Sequence, residues 1–399
     1  MPYYIGDVIK DYKRLVIRTP EEFQKTGIDA KIKTNVETID PNKGTVHLSN
    51  GSSLPYDILV MATGADAARL GIPGEDMEGV FTLRNLTDAL KMKSYLNEKG
   101  CRKAIIVGAG YIGMEMCEAL KNLGIDVKVI DILPRPVIRW DSEFVKLILE
   151  ELNKNQVQFL PETKPIAIEQ GKDSRLRLIT ENGRLEADMI LIGVGTKRNT
   201  SLAQSMGLKM GSSGAIQVDP FQRTSLENVY AVGDCCEVFH RVSGKWVYYP
   251  LGDIANKQGR IAGQNIAGVP SEFPGIVGSQ SFKVFNLEVA ATGLTEEEAA
   301  RDGFMPVSNI VWGLPVGRPM AKGEKLGIKL IADKKTAKLL GAQTIGEKGA
   351  VQRINSLALA LWCGLTLDEV SYIDLAYAPP FGGAWDAIHI AAQTLRAKL

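Results

Sequence analysis

Three glycines and one carboxylate in the middle of the chain have the types and spacing needed to hold a nucleotide pyrophosphate. Gly108, Gly110 and Gly113 form a GxGxxG turn, and Asp131 ends the next apolar run. The first glycine permits a tight turn, the second lets the backbone approach phosphates, and the third allows close helix packing. A carboxylate at the second strand end can accept from a ribose 2′-hydroxyl. Taken alone, a glycine-rich structural turn has the same signature.

The elements around these glycines position them as such a site requires. Residues 104–107 are predicted to form a strand, 111–123 a helix and 127–130 a second strand. Tyr111 and Ile112 begin the helix, whose N-terminus carries the positive end of the helix dipole and favours a phosphate. Because strand, turn, helix and acid occur in order, dinucleotide binding is the favoured interpretation.

Asp131 also predicts which nicotinamide nucleotide binds. A carboxylate at this position would repel a 2′-phosphate, so we expect NAD(P)H with NADH preferred. Arg135 and Arg139 follow in DILPRPVIRW and could offset that repulsion. Ordinary surface charge is the more common role of such arginines.

A second strand-end motif lies in the segment NVYAVGDCCEVF. An apolar strand at 229–232 ends in Gly233 and Asp234, and Cys235 and Cys236 follow. The acid can accept from a polyol chain or ribose, and a helix after it would direct its N-terminus at a phosphate. Adjacent cysteines close a disulfide only with strain, so two small, partly buried thiols are expected. A helix N-terminus could alternatively make Cys235 reactive.

The chain repeats one layout. Residues 56–65 and 187–195 are both β-type runs that stop on a glycine, and each follows a hairpin pattern with an Asn-Gly turn. Two copies predict two similar α/β domains. Hairpins followed by helices after residue 273 predict a third, α+β domain. The first copy lacks a glycine-rich opening in the residues before it.

Bulk composition excludes several classes of protein. The 399 residues suffice for two or three domains. Lys and Arg (47) nearly balance Asp and Glu (46), so neither nucleic acid nor a membrane surface is an expected partner. Without a visible signal peptide, spanning segment or CxxC pair, a cytoplasmic location is expected. The three scattered histidines predict no metal site.

Several segments resemble the pyridine nucleotide-disulfide oxidoreductases, in particular the coenzyme A-disulfide reductase and NADH oxidase branch. The resemblance covers essentially the whole chain and is carried by MPYYIGD, VMATGA, TSLENVYAVGDCCEV, PLGDIANKQGRIAGQNIAG and YAPPF. It implies an α/β fold with two Rossmann-like dinucleotide-binding domains, the first N-terminally truncated, and a C-terminal α+β dimerisation domain. The implied domains are an incomplete FAD-binding domain (1–100 and 219–272), an NAD(P)H-binding domain (101–218) and a dimerisation domain (273–399).

The resemblance also implies site residues and a homodimer. Asp234 would hold the ribityl chain of FAD. Further cofactor-binding positions are implied at Thr63, Gly64, Gly195, Gly233, Ala255 and Lys257. Tyr377 would reach the flavin and thiol site of the partner subunit, although a buried interface tyrosine is the plainer interpretation. Similarly, Lys257 lies where some relatives contact coenzyme A, but a solvated lysine is more common.

The implied activity passes hydride from NAD(P)H through FAD to a disulfide, polysulfide or oxygen acceptor. GRPMAKGEKL lacks a second tyrosine common in coenzyme A-disulfide reductases, which favours oxygen or polysulfide. Members of the branch carry an N-terminal FAD glycine loop and a redox cysteine in CGLPYY, and Met1 stands at that leucine. Both are therefore expected upstream of residue 1. The alternative is a truncated, catalytically impaired NAD(H)-binding relative.

Overall fold

A computed structural model describes residues 1–172 and 174–399. Over this part the chain forms 22 strands and eleven α-helices. The strands β1 to β22 are Val36–Asp40, Thr45–Leu48, Ser53–Pro55, Leu59–Met61, Ala65–Ala67, Val80–Thr82, Lys103–Val107, Asp126–Ile130, Gln158–Leu160, Pro165–Gln170, Leu176–Thr180, Gly183–Ala187, Met189–Ile192, Thr196–Arg198, Val229–Ala231, Val238–His240, Lys245–Val247, Gln280–Val284, Leu287–Gly293, Pro306–Gly313, Leu326–Asp333 and Leu339–Gly346. The helices α1 to α11 are Pro2–Ile5, Pro20–Lys25, Leu86–Lys99, Tyr111–Asn122, Ser142–Lys154, Ser201–Ser205, Gly252–Ile266, Glu296–Arg301, Ala350–Cys363, Leu367–Val370 and Ala387–Arg396.

The chain divides into two compact units. The first unit comprises residues 1–10, 67–195 and 277–399, and the second comprises 11–66 and 196–276. The division into three domains that the sequence suggests, with the boundaries given above, stays a prediction. None of the helices in the described ranges has both the length and the apolar character needed to cross a membrane.

A five-stranded parallel sheet forms the part of the first unit that carries the glycine turn. Its strand order is β6-β13-β7-β8-β9. The runs AIIV in β7 and MILI in β13 are buried throughout, as expected for parallel strands covered on both faces. The predicted strand, helix and strand around the GxGxxG motif are confirmed as β7, α4 and β8, with bounds that differ by at most one residue.

An antiparallel sheet forms the C-terminal part of the first unit. Its order is β18-β19-β22-β21-β20, and every residue of β21 and β22 is buried. Helix α9 packs on β19 and β22, while α11 packs on β20 and β21. Most residues of these buried strands are apolar or small, and the polar exceptions are Lys329 and Asp333 in β21 and Gln343 and Thr344 in β22.

The second unit is built from short strands and helix α7. Strands β2 and β3 form the hairpin predicted around an Asn-Gly turn, β1 pairs with β2, and β4 pairs with β15 in parallel. The prediction of a helix directly after Asp234 is wrong: Asp234 lies within a 3-10 turn, Gly233–Cys235, and the next α-helix is α7. The physical reason is a backbone bridge, because Ile216 exchanges hydrogen bonds with Cys235 and Glu237 and keeps this segment extended.

Candidate active site

The glycine turn lies between β7 and α4, and two of its glycines are required by close packing. A Cβ on Gly108, which has φ +106°, would come within 2.4 Å of the Gly193 carbonyl oxygen. A Cβ on Gly113 would come within 2.2 Å of the Gly108 carbonyl oxygen. At Gly110, by contrast, a Cβ would meet no atom of the described residues within 4 Å. Gly110 therefore faces open space, as a backbone that a pyrophosphate approaches must.

Helix α4 presents its N-terminus at this open side. Gly110 is its N-cap, and no side chain among the described residues caps it. The first amides of a helix have no intrahelical acceptor, so they suit an anion. Tyr111 is exposed and Ile112 half-buried at this end. The residues present thus fit a dinucleotide phosphate group.

Asp131 is held beside the glycine turn by two backbone amides. Its Oδ2 accepts from the Ala109 amide at 2.7 Å, and its Oδ1 accepts from the Leu133 amide at 2.9 Å. This carboxylate is therefore fixed in orientation, at the strand end where a ribose would lie. Gly195 lies at the end of β13, next to β7, with φ +108°.

The two arginines considered for a 2′-phosphate are engaged within the protein. Arg139 donates to the Gly293 carbonyl at 2.9 Å and pairs with Glu298 at 3.4 Å. Arg135 donates to the Ile138 carbonyl at 3.3 Å. The Arg139 charge is thus paired with a carboxylate of the protein, whereas the bond of Arg135 is to a neutral carbonyl.

The second group of predicted residues lies in the second unit, where β4 and β15 end side by side. Thr63 and Gly64 follow β4, and Gly233 and Asp234 follow β15. The Thr63 hydroxyl donates to the Asn199 carbonyl at 2.6 Å, and the Asn199 amide donates to the Gly64 carbonyl at 3.0 Å. The two strand-end motifs therefore lie at the same edge of the β4–β15 pair. Asn199, which connects to the Thr63 turn, was not predicted from the sequence.

Helix α7 supports the turn that carries Asp234. Gly233 has φ +76°, and a Cβ there would lie 3.2 Å from that of Ala255. The Gly233 amide donates to Gln258 Oε1 at 2.9 Å, and Gln258 donates to the Glu237 carbonyl at 3.1 Å. Asp234 and Gln258 are both buried. Gln258 was missed, although a glutamine on the buried stripe of an amphipathic helix was a readable signal.

Comparison with known proteins identifies the family of the chain. Residues 4–259 match the family model "pyridine nucleotide-disulphide oxidoreductase", and residues 279–388 match the dimerisation domain of that family. The chain belongs to this oxidoreductase family. Family membership confirms the predicted mixed α/β fold with a C-terminal dimerisation domain, and it makes the chain an FAD-dependent NAD(P)H oxidoreductase.

Individual relatives are similar over nearly the whole of this chain and over most of their own length. The chain is 36% identical to an NAD(P)H sulfur oxidoreductase (CoA-dependent) of Pyrococcus furiosus, over 98% of this chain and 89% of that protein. It is 32% identical to an NADH oxidase of Methanocaldococcus jannaschii, over 100% of this chain and 90% of that protein. A solved NAD-dependent persulfide reductase from A. fulgidus superposes with a TM-score of 0.95 at 36% identity, covering 100% of this chain and 75% of that one.

Two further positions suggested for this oxidoreductase lie apart from the strand-end motifs in sequence. Lys257 is exposed on α7 and pairs with Asp253 at 3.0 Å. Tyr377 lies in the loop between α10 and α11 and is 57% exposed. Their roles stay predictions.

The adjacent cysteines of this oxidoreductase are packed into the interior of the second unit. Cys235 Sγ donates to the Met61 and Val232 carbonyls at 3.4 and 3.3 Å. Cys236 Sγ donates to the Gly233 carbonyl at 3.4 Å. Burial, helped by the neighbouring Cys235, raises the pKa of the Cys236 thiol well above its ordinary value. For Cys236 this environment favours the thiol over the reactive thiolate.

Thiol labelling should separate these cysteines from the exposed one. Cys363 is exposed, whereas Cys117, Cys235 and Cys236 are buried, and burial also raises the pKa of Cys117. We expect a disulfide reagent to modify Cys363 quickly in the folded protein and the buried thiols only after denaturation. The measurement is a time course with peptide mapping, and Cys363→Ser should remove the fast phase. Rapid labelling of Cys235 in the native protein would contradict this account.

Proposed function

We propose that this FAD-dependent oxidoreductase uses NADH in preference to NADPH and delivers the electrons to sulfur in a disulfide or polysulfide. The observation that carries the coenzyme preference is the Asp131 carboxylate, which two backbone amides fix beside the glycine turn while the charge of Arg139 is paired with Glu298. A fixed carboxylate accepts from a 2′-hydroxyl and repels a 2′-phosphate.

In this proposal the first unit binds the nicotinamide nucleotide. The amides at the start of α4 and the bare backbone of Gly110 hold the pyrophosphate, while Gly108 and Gly113 keep β7 and α4 close enough for that turn. Tyr111 and Ile112 begin the helix that faces the phosphates, and Gly195 borders the site from β13. Asp131 orients the adenosine ribose.

The second unit holds the flavin by its second strand-end motif. Asp234 accepts hydrogen bonds from the ribityl hydroxyls, and Gly233 allows the backbone to turn there. Thr63, Gly64 and Ala255 form the adjoining wall, and Lys257 at the exposed helix face meets a phosphate. When bound, the nicotinamide and the flavin supply the hydride chemistry, whereas the protein supplies binding and orientation.

Tyr377 acts across a homodimer in this proposal. Its loop exposes an aromatic surface of Tyr372, Tyr377, Phe381 and Trp385, which suits burial against a second copy. A phenol from one subunit would then donate a hydrogen bond at the flavin site of its partner. The matching dimerisation domain supports this arrangement.

The choice of sulfur as acceptor is supported by the named activities of the relatives. The similar proteins act, by their names, as a CoA-dependent sulfur oxidoreductase and as a persulfide reductase. A further relative is an NADH oxidase, so oxygen is the competing acceptor.

The test is a coenzyme and acceptor survey of the purified protein with FAD added. NADH and NADPH oxidation are followed with coenzyme A disulfide, with inorganic polysulfide and with oxygen. We expect kcat/KM for NADH to exceed that for NADPH by at least about tenfold, because hydrogen bonds to a charged group contribute about 1.5–3 kcal/mol. Polysulfide or disulfide should be reduced faster than oxygen.

One substitution ties the preference to its residue. Asp131→Ala should raise KM for NADH and remove most of the preference, whereas Asp126→Ala, at the exposed start of the same strand, should leave both unchanged. Equal use of NADPH by the unaltered protein would reject the coenzyme assignment. Faster turnover with oxygen than with either sulfur compound would reject the acceptor.

A further inference from the structure

The loop of residues 131–141, here called the 131–141 loop, holds the centre of the glycine turn from two sides. Asp131 accepts from the Ala109 amide at 2.7 Å, and the Val137 amide donates to the Ala109 carbonyl at 2.9 Å. Both polar groups of Ala109 are thereby bonded to one loop. The position of the glycine turn consequently depends on the position of this loop.

The 131–141 loop adopts a conformation that its own sequence does not favour. Val137 has φ +42°, a left-handed conformation that is a genuine outlier for a β-branched residue. Its side chain is buried. Such residues persist only where surrounding structure over-determines them, and they cluster at functional sites. Contacts from outside the loop must therefore stabilise this conformation.

The C-terminal antiparallel sheet provides these contacts. Gln343 on β22 accepts from the Asp141 amide at 3.0 Å and donates to the Arg139 carbonyl at 3.4 Å. Trp140 packs edge-on against Phe282 of β18, with ring centroids 5.2 Å apart. These contacts fix three consecutive residues at the end of the loop.

Lys329 of β21 completes the attachment by charge. It is 5% exposed, and its Nζ lies 2.8 Å from Asp141 Oδ2 and in contact with Glu296 Oε2. Burial lowers the pKa of Lys329, but the hydrogen bonds and negative charges of Asp141 and Glu296 outweigh this effect and raise it. The lysine is therefore charged at neutral pH, and losing it would leave two carboxylates facing each other.

We propose that Lys329 and Gln343 are positioning residues for nicotinamide nucleotide binding, acting through the 131–141 loop on Ala109. This inference rests on the proposed function, since it takes the glycine turn as the nucleotide site. It gives the C-terminal sheet a role in binding the nucleotide in addition to dimerisation.

The test compares the NADH affinity of Lys329→Met and Gln343→Ala with that of the unaltered protein, by fluorescence titration. Each variant should raise the Kd for NADH by about tenfold, a change of the size usually found when a substituted residue is energetically coupled to a binding site. Turnover at saturating NADH should change little, because the reacting groups stay in place. Lys329→Arg, which keeps the charge, should restore most of the affinity.

Arg396→Met is the matched control. It removes an ion pair with Asp368 (2.8 Å) in the same C-terminal part of the chain, away from the 131–141 loop. A Kd for Lys329→Met and Gln343→Ala equal to that of the control overturns the inference, even if their thermal stability falls. Absence of NADH binding in the unaltered protein would instead reject the proposed nucleotide site. Unfolding of Lys329→Met would leave the decision to Gln343→Ala and Lys329→Arg.

Discussion

Gly110→Ala should abolish the binding of NADH at working concentrations and leave the fold intact. The added methyl meets nothing in the free protein, and φ of −75° is accessible to alanine. The stability cost is that of replacing a glycine N-cap, about 1 kcal/mol. In the complex, however, the methyl would occupy the place where the pyrophosphate approaches the backbone. We expect the Kd for NADH to rise by at least ~100-fold, which corresponds to about 2.8 kcal/mol.

Fluorescence titration and thermal unfolding together check this expectation. Gly263→Ala on α7, where an added Cβ also meets nothing within 4 Å of the described residues, is the matched control and should bind NADH normally. Gly113→Ala should behave differently from both, losing stability as well as binding, because its methyl would collide with the Gly108 carbonyl. Normal NADH binding by Gly110→Ala would place the nucleotide elsewhere.

Asp234→Ala should remove most of the affinity for FAD. In the proposed complex the carboxylate accepts from ribityl hydroxyls, and hydrogen bonds to a charged group contribute about 1.5–3 kcal/mol each. Losing two of them would raise the Kd for FAD by at least ~100-fold. Asp234→Asn, which keeps one acceptor oxygen, should retain an intermediate affinity.

The measurement is the flavin absorbance that remains with the protein after FAD addition and desalting. Glu272→Ala, at an exposed acid of the same unit, should retain as much flavin as the unaltered protein. A thermal unfolding curve separates loss of ligand from loss of fold. If Asp234→Ala retained flavin as well as the control, the second strand-end motif would have another role.

The parts of the site that local patterns encode were predictable from the sequence. The GxGxxG turn, its strand and its helix depend on residues close together in the chain, so their periodicity and glycine spacing suffice. Asp131 was equally readable, because a strand that ends at a fixed distance from the turn brings its last residue to the same edge.

The features of the site that could not be predicted from the sequence depend on contacts between distant segments of the chain. Asn199 bonds the Thr63 turn from more than a hundred positions away, and Lys329 on the C-terminal sheet pairs with Asp141 at the end of the 131–141 loop. No local pattern reports such pairings. The helix predicted after Asp234 was wrong for the same reason, since the bridge to Ile216 overrides the local preference. The positive φ of Val137 contradicts its residue type, so only the packed structure reveals it.

The three glycines of the turn meet different physical requirements. Gly108 and Gly113 are required by the protein's own backbone, whereas nothing in the described residues approaches Gly110. A homologous protein that no longer binds the nucleotide could therefore carry another residue at the position of Gly110 while it keeps the glycines at the positions of Gly108 and Gly113. Among homologous genes, the residue at this one position would distinguish lineages that still bind the nucleotide from those that keep only the architecture.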